Sequence, residues 1–253
     1  MKITFLGTGT SQGVPVIACN CHVCQSDDPK DDRLRTSAML TLEGKNYVID
    51  AGPDFRQQML RGNVQSLEAV IFTHEHKDHI AGLDDVRAYN YKQKKDMPVY
   101  GSHRVETALH REFHYAFGEN PYPGIPRLDF CLIDNEPFVV NDITWSPIEV
   151  MHYKLPVQGF RIGDFTYITD AKSIAEEQLK KIKGSKTLVL NALRIEEHIS
   201  HFNLQQALEM IELLKPEKAY LTHISHLFGT HKEIEHMLPD NVFVAYDGLK
   251  IDI

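Results

Sequence analysis

Residues 74–79 read His-Glu-His-Lys-Asp-His, directly after the apolar, β-branched run Ala69-Val70-Ile71-Phe72-Thr73. Side chains two apart on an extended segment point the same way, so His74 and His76 can share one cation, while Asp78 and His79 lie around the following bend. Four potential ligands converge at the end of one strand. Three further candidates close later apolar runs: His152 after Ile148-Glu149-Val150-Met151, Asp170 after Tyr167-Ile168-Thr169, and His223 after Tyr220-Leu221-Thr222. Sites gather at strand ends in open sheets, so the recurrence carries a meaning that a lone strand-end residue lacks.

A second constellation, Cys19-x-Cys21-x-x-Cys24, supplies three thiols within one loop. Cysteines so close cannot form a disulfide framework, and a closed zinc site needs one more ligand. His22, Cys131 and His226 are the candidates. His22 is wedged between two of the thiols, and Cys131 reads as a buried apolar thiol in the run Leu128-Asp129-Phe130-Cys131-Leu132-Ile133, so His226 is preferred.

The elements that must position these residues follow from periodicity. Apolar runs at 2–6, 37–42, 46–50, 69–73, 143–151, 165–169, 187–190, 219–222 and 242–245 read as strands. Helices are expected at 55–61, 105–113 and 174–182. Another begins after the cap Asn203, with Leu204, Ala207, Leu208, Ile211 and Leu214 on one face, and ends before Pro216. Meandering strand pairs come first and helices intervene later, which predicts mixed sheets with helices outside, in a single domain over 1–253. With 42% hydrophobic residues the chain can bury a large core, which excludes a disordered protein. A net charge of −8 argues against coating nucleic acid. No apolar run approaches the ~20 residues of a membrane span, and a cytoplasmic protein with no membrane partner is expected.

His-x-His-x-Asp-His followed by lone strand-end His, Asp and His resembles the metallo-β-lactamase superfamily over nearly the whole chain. The resemblance implies an α/β fold, the αββα sandwich with two mixed β-sheets packed face to face. It also implies two divalent cations, zinc or manganese: one on His74, His76 and His152, a second on Asp78, His79 and His223, with Asp170 bridging them. Asp50, in Val48-Ile49-Asp50-Ala51-Gly52, matches the family's early strand-end Asp and is expected to support the ligands. The segment Gly7-Thr8-Gly9-Thr10-Ser11-Gln12-Gly13-Val14-Pro15, the cysteine loop and Thr222-His223-Ile224-Ser225-His226 together resemble the PhnP-type phosphoribosyl cyclic phosphodiesterase branch. That similarity implies a structural zinc on Cys19, Cys21, Cys24 and His226, in a loop at about 18–26, and a general acid at His201, just before the capped helix. His198 is its rival. Asp78 and His201 are the expected catalytic residues.

Arg87 and Lys154 stand close in sequence to ligand positions and are expected to hold a phosphate. Segments 84–95 and 119–126 are expected to wall the pocket. His110 and His114 share the spacing of one helical face but lack a third ligand, so they read as structural. Gly7-x-Gly9-x-x-x-Gly13 misses the dinucleotide-binding spacing by one residue and runs into Pro15 where a helix is required.

The expected function is a metal-dependent phosphodiesterase that hydrolyses a small phosphodiester, cyclic, nucleotide-like or phosphoribosyl-like, by attack of a metal-bridging hydroxide. A ribonuclease Z-like or glyoxalase II-like hydrolase on the same centre is the alternative, as is a non-catalytic metal-binding protein of cofactor biosynthesis. No stable nucleic-acid complex is expected. A homodimer is suggested by the resemblance alone.

Overall fold

The computed structural model describes residues 1–118 and 122–253. Its first six strands are β1 (Lys2–Gly7), β2 (Ser37–Leu42), β3 (Lys45–Ile49), β4 (Ala69–Ile71), β5 (Met97–Gly101) and β6 (Leu128–Leu132). The next seven are β7 (Phe138–Val140), β8 (Ile143–His152), β9 (Leu155–Ile162), β10 (Phe165–Tyr167), β11 (Thr187–Asn191), β12 (Lys218–Thr222) and β13 (Val242–Val244), and β14 (Lys250–Asp252) closes the chain. Among the described residues they form two seven-stranded sheets, ordered β14-β1-β2-β3-β4-β5-β6 and β13-β12-β11-β10-β9-β8-β7.

The two sheets share a plan. β1 to β3 meander antiparallel and β3 to β6 run parallel; β7 to β10 meander antiparallel and β10 to β13 run parallel. Parallel neighbours cannot be joined by a tight turn, so helices fill the crossovers. In the first half these are α1 (Phe55–Arg61), α2 (Lys77–Ile80), α3 (Arg87–Gln93) and α4 (His103–Glu112), and in the second α5 (Glu176–Ile182), α6 (Leu204–Leu214) and α7 (His231–Glu235). Asn203 caps α6 as expected, accepting from Gln206 N while the Gln206 side chain reaches back to the cap.

Strand side chains alternate between layers. Tyr47, Ile49, Ala69 and Ile71 join Trp145, Phe160, Phe165, Tyr167 and Val189 in one core between the sheets, whereas Val48 and Val70 pack with Phe55, Met59 and Leu109 beneath the helices of the first half. Leu188, Leu190, Ala219 and Leu221 meet Ala207 and Ile211 of α6 on the far side. Both sheets are covered on both faces, which is why their strands read as continuous apolar runs. The architecture is the expected αββα sandwich.

β5, β6, β7, β9 and β14 lie outside the strands expected from sequence. β5 and β9 carry Pro98 and Pro156, which weigh against a strand, and β6 is an edge strand with no buried side chain along its length. Cys131 on β6 is half-buried, so the expectation of a buried thiol is corrected: an edge strand lacks the second neighbour that would cover it. The helix expected over 105–113 runs from His103 to Glu112. His114 falls beyond it, and His110 stacks on Phe117 with centroids 4.0 Å apart. No helix among the described residues is long and apolar enough to cross a membrane.

Candidate metal centre

Site residues leave the C-terminal ends of strands from both sheets. Asp50 follows β3, His74 to His79 follow β4, His152 ends β8, Asp170 lies just past β10, and His223 follows β12. His74 Nε2 lies 3.0 Å from His76 Nδ1 and 3.9 Å from Asp170 Oδ2. On the other side, His79 Nε2 is 3.3 Å from Asp78 Oδ2 and 3.5 Å from Asp170 Oδ1, and His223 Nδ1 is 3.2 Å from Asp170 Oδ1. Asp170 therefore turns one oxygen to each group of imidazoles. His201 Nε2 is also 3.3 Å from Asp170 Oδ2. His152 gathers with Asp170 and His201 rather than with His74 and His76, although its ring centroid is 5.2 Å from that of His76.

The donor set fits cations. His79 Nδ1 lies 2.7 Å from Asp50 Oδ2, while its Nε2 is buried, faces two carboxylates and makes no hydrogen bond. A buried ring nitrogen held this way has its lone pair aimed where a metal would sit, with the carboxylate behind it fixing the ring. Asp50 is itself held by Thr73, whose N and Oγ1 each donate at 2.8 Å. Burial would raise the Asp170 carboxyl, but the facing imidazoles of His223 and His79, with hydrogen bonds from His201 and His79, outweigh it and hold it well below the usual range. Asp78 is also lowered, against burial, chiefly by His79. Burial pulls His74 well down and brings His223 to about 4. These are the ligand-competent forms: ionised carboxylates and neutral imidazoles. His79 departs from this pattern. Despite burial, Asp170, Asp78 and Asp50 push it well above its ordinary value, so a cation at Nε2 would take the place of a proton.

Backbone strain marks the same residues. Asp50, Asp170 and His223 have φ of +64°, +58° and +58°, in the left-handed region that non-glycine residues enter uncommonly, aspartate and histidine more readily than most. Each costs on the order of 1 kcal/mol or more, and residues held this way cluster at functional sites. The glycine-rich N-terminal segment contributes support. A Cβ on Gly7 would sit 1.9 Å from the Arg35 carbonyl oxygen, so only glycine lets the segment 33–36 approach. That approach brings Thr36 Oγ1, which donates to the Gly9 carbonyl at 2.7 Å, to 3.1 Å from His223 Nδ1.

The sulfurs of Cys19, Cys21 and Cys24 lie 3.3, 3.4 and 3.5 Å from His226 Nδ1. Zinc bonds of about 2.3 Å to sulfur and 2.0 Å to nitrogen, tetrahedrally arranged, separate S from N by about 3.5 Å, so this cluster has the size of a closed zinc site. A backbone hydrogen bond from Cys24 N is the main influence that lowers Cys21 to about 6, while burial raises Cys24 to about 11. His22 turns away, with Nε2 3.2 Å from Glu233 Oε2. All four cysteines are free.

The candidate phosphate-binding cations fall apart in space. Lys154 lines a cavity of about 560 Å³ together with His76, His152 and Ser200. Arg87 does not line it; it is exposed and pairs with Asp84 at 3.2 Å. Arg104, which no motif flags, does line it. Residues 84–95 lie largely in α3, away from that lining, and 122–125 border a separate cavity with Asn90 and Tyr91. Residues 119–121 of the other expected wall lie outside the described residues.

The sequence pattern of the Beta-lactamase superfamily domain matches residues 45–224. An octanoyltransferase of Porphyromonas gingivalis (strain ATCC BAA-308 / W83) is 41% identical over 253 residues, covering 99% of this chain and 51% of that protein. The chain spans about half the length of the curated relatives it matches. Among solved structures, a diphosphatase from the PhnP family superposes with a TM-score of 0.93 at 36% identity, covering 100% of this chain and 97% of that one. Zn(2+)-bound PqqB from Methylobacterium extorquens, at a TM-score of 0.82, 16% identity and full coverage of both chains, shares the fold.

Proposed function

The chain belongs to the metallo-β-lactamase superfamily, and on that premise we propose that it is a metal-dependent hydrolase of small phosphodiesters. In this reading His74, His76 and His152 hold one divalent cation, zinc or manganese. Asp78, His79 and His223 hold a second, and Asp170 stands between them. Cys19, Cys21, Cys24 and His226 hold a structural zinc. A bound pair of such ions ionises water near neutral pH and neutralises the oxygens of a phosphoester. The observation that carries the reading is the two-sided placement of Asp170, with Oδ2 toward His74 and Oδ1 toward His79 and His223.

The protein's own groups supply the rest. His201 is buried with Nε2 on the Asp170 side, while its Nδ1 lies 3.1 Å from Ser200 Oγ and 3.2 Å from His198 Nδ1. Nε2 is the atom placed to protonate a departing alkoxide, and His198 can pass a proton to Nδ1 from the solvent side. Similarity over the whole chain to a PhnP-family diphosphatase favours a phosphoester over other bonds.

The 41% identity with a protein named octanoyltransferase supports a second reading, acyl chemistry on a thioester. It ranks lower because the matched part is 51% of that protein. Turnover of bis(p-nitrophenyl) phosphate and of an octanoyl thioester by metal-loaded protein separates the two. Phosphodiester hydrolysis is expected; thioester cleavage alone would favour the second reading, and inertness to both would favour a non-catalytic metal-binding protein. In the same assay His201→Ala should slow alkyl esters at least tenfold more than nitrophenyl esters, since a good leaving group needs little protonation. Equal slowing would remove His201 from the acid role.

A further inference from the structure

We propose that the cavity between α3 and the segment 122–127 binds a free nucleoside monophosphate, its base on Tyr91 and Tyr122 and its phosphate on Lys94 and Arg127, in a site apart from the metal centre. Such a site does not depend on which bond that centre cleaves. The cavity has a volume of about 500 Å³, within the roughly 300–1,000 Å³ typical of small-molecule sites. Its place is set by topology. β4, β5 and β6 run parallel, and the candidate ligands His74 to His79 leave the C-terminal end of β4, whereas Lys94 and Arg127 lead into the N-terminal ends of β5 and β6. The two sites therefore lie at opposite ends of one sheet.

Both walls are stiff. Tyr122-Pro123-Gly124-Ile125 forms a turn closed by Ile125 N donating to the Tyr122 carbonyl at 3.4 Å, with proline in the second position and glycine at φ +108° in the third, the pattern of a type II turn. On the other wall the side chain of Asn90, buried in α3, accepts from Arg127 N at 2.9 Å and donates to the Arg127 and Lys95 carbonyls, each at 3.0 Å. One amide thus pins the helix to both segments that carry the cations. Tyr91 reaches across, its hydroxyl 3.5 Å from where a Cβ on Gly124 would sit.

The lining selects the ligand. Tyr91 and Tyr122 are 66% and 78% exposed, two aromatic rings left uncovered at one cavity, and a base stacks on such rings whatever its identity. Although the chain carries a net charge of −8, none of the described residues lining this cavity is acidic. Lys94 ends α3 at φ +54°, and its ammonium makes no ion pair or hydrogen bond among the described residues. Arg127 pairs through Nε with Asp96 Oδ1 at 3.0 Å, which orients the guanidinium and leaves the Nη1–Nη2 edge, a fork that matches phosphate oxygens. Rings for a base and two cations for a phosphate suit a mononucleotide, and the acidic net charge disfavours a longer nucleic acid.

Photolabelling of the metal-loaded full chain with 8-azidoadenosine 5′-monophosphate, with the labelled residues located by peptide mass spectrometry, tests this. Label is expected on the segments around Tyr91 and Tyr122, and adenosine monophosphate should displace it at about a tenth or less of the concentration that adenosine or inorganic phosphate requires. The Lys94→Ala/Arg127→Ala double variant should reduce this labelling about tenfold and Tyr122→Ala at least about fivefold, with metal content and turnover at the metal centre unchanged. All three side chains are exposed, so the variants should fold. Label confined to the segments that carry His74 to His79, His152, His201 or His223, labelling unaffected by either variant, or equal displacement by adenosine monophosphate and adenosine would overturn the site. Displacement by single-stranded oligoadenylate at lower concentration than by adenosine monophosphate would overturn the free nucleotide as its occupant.

Discussion

Asp170→Ala is expected to cut phosphodiester hydrolysis by about a thousandfold or more, roughly 4 kcal/mol of transition-state stabilisation, and to lower the metal content of the centre from two ions to at most one. The reason is geometric. Its two oxygens lie 3.2 to 3.9 Å from ring nitrogens of His223, His79 and His74, and no other carboxylate among the described residues pairs with imidazoles of both groups. Removing it also withdraws the carboxylate that helps to hold His79 protonated when no cation is bound. Zinc on the cysteine loop should remain, because none of its four ligands belongs to the groups around Asp170. Elemental analysis with the activity assay checks both parts. Full occupancy with activity intact would mean that Asp170 bridges nothing.

The second large effect concerns the cysteine loop. Cys24→Ser should release one zinc and lower the melting temperature by roughly 6–12 °C, as expected for a loss of about 3 kcal/mol in a chain of this size. It should also weaken metal binding at His223. The coupling runs through a short stretch of chain. His226 and His223 sit on one segment, and Ile224 between them pairs with the N-terminal segment through Ile224 N to the Thr8 carbonyl at 2.8 Å and Thr10 N to the Ile224 carbonyl at 3.1 Å. The thiols and the threonines beside His223 thus belong to one loop anchored at both ends. Calorimetry and metal titration of the variant measure the two effects. An unchanged melting temperature would show that the cluster bears no structural load.

Much of this site was legible in the sequence because its residues are local or repeat one placement. Cys19, Cys21 and Cys24 need only a short loop, His74 to His79 need only a strand end, and His152, Asp170 and His223 each close an apolar run. The αββα arrangement followed from the same runs, read with the family resemblance. What stayed hidden depends on relations between distant segments. Arg104 donates to Glu75, 29 residues away in the sequence, only once α4 packs beside the β4 strand end. The positive φ at Asp50, Asp170 and His223 could not be read from residue type, since aspartate and histidine enter that region more readily than most residues yet mostly adopt ordinary backbone. Arg87 shows the reverse error. Proximity in sequence to Asp78 and His79 suggested a shared site, but the helix that begins at Arg87 directs it to Asp84 and solvent. Cys131 misled because an apolar run does not distinguish a central strand from an edge one.

Anomalous diffraction at the zinc and manganese edges, from a crystal of metal-replete protein, bears most directly on whether these side chains hold a pair of ions. Two peaks are expected on opposite sides of the Asp170 carboxylate, one among His74, His76 and His152 and one among Asp78, His79 and His223, with a third inside the cluster of Cys19, Cys21, Cys24 and His226. Absence of any peak beside Asp170, with the third present, would leave a folded protein whose imidazoles hold no metal and would remove the basis for hydrolysis at this centre.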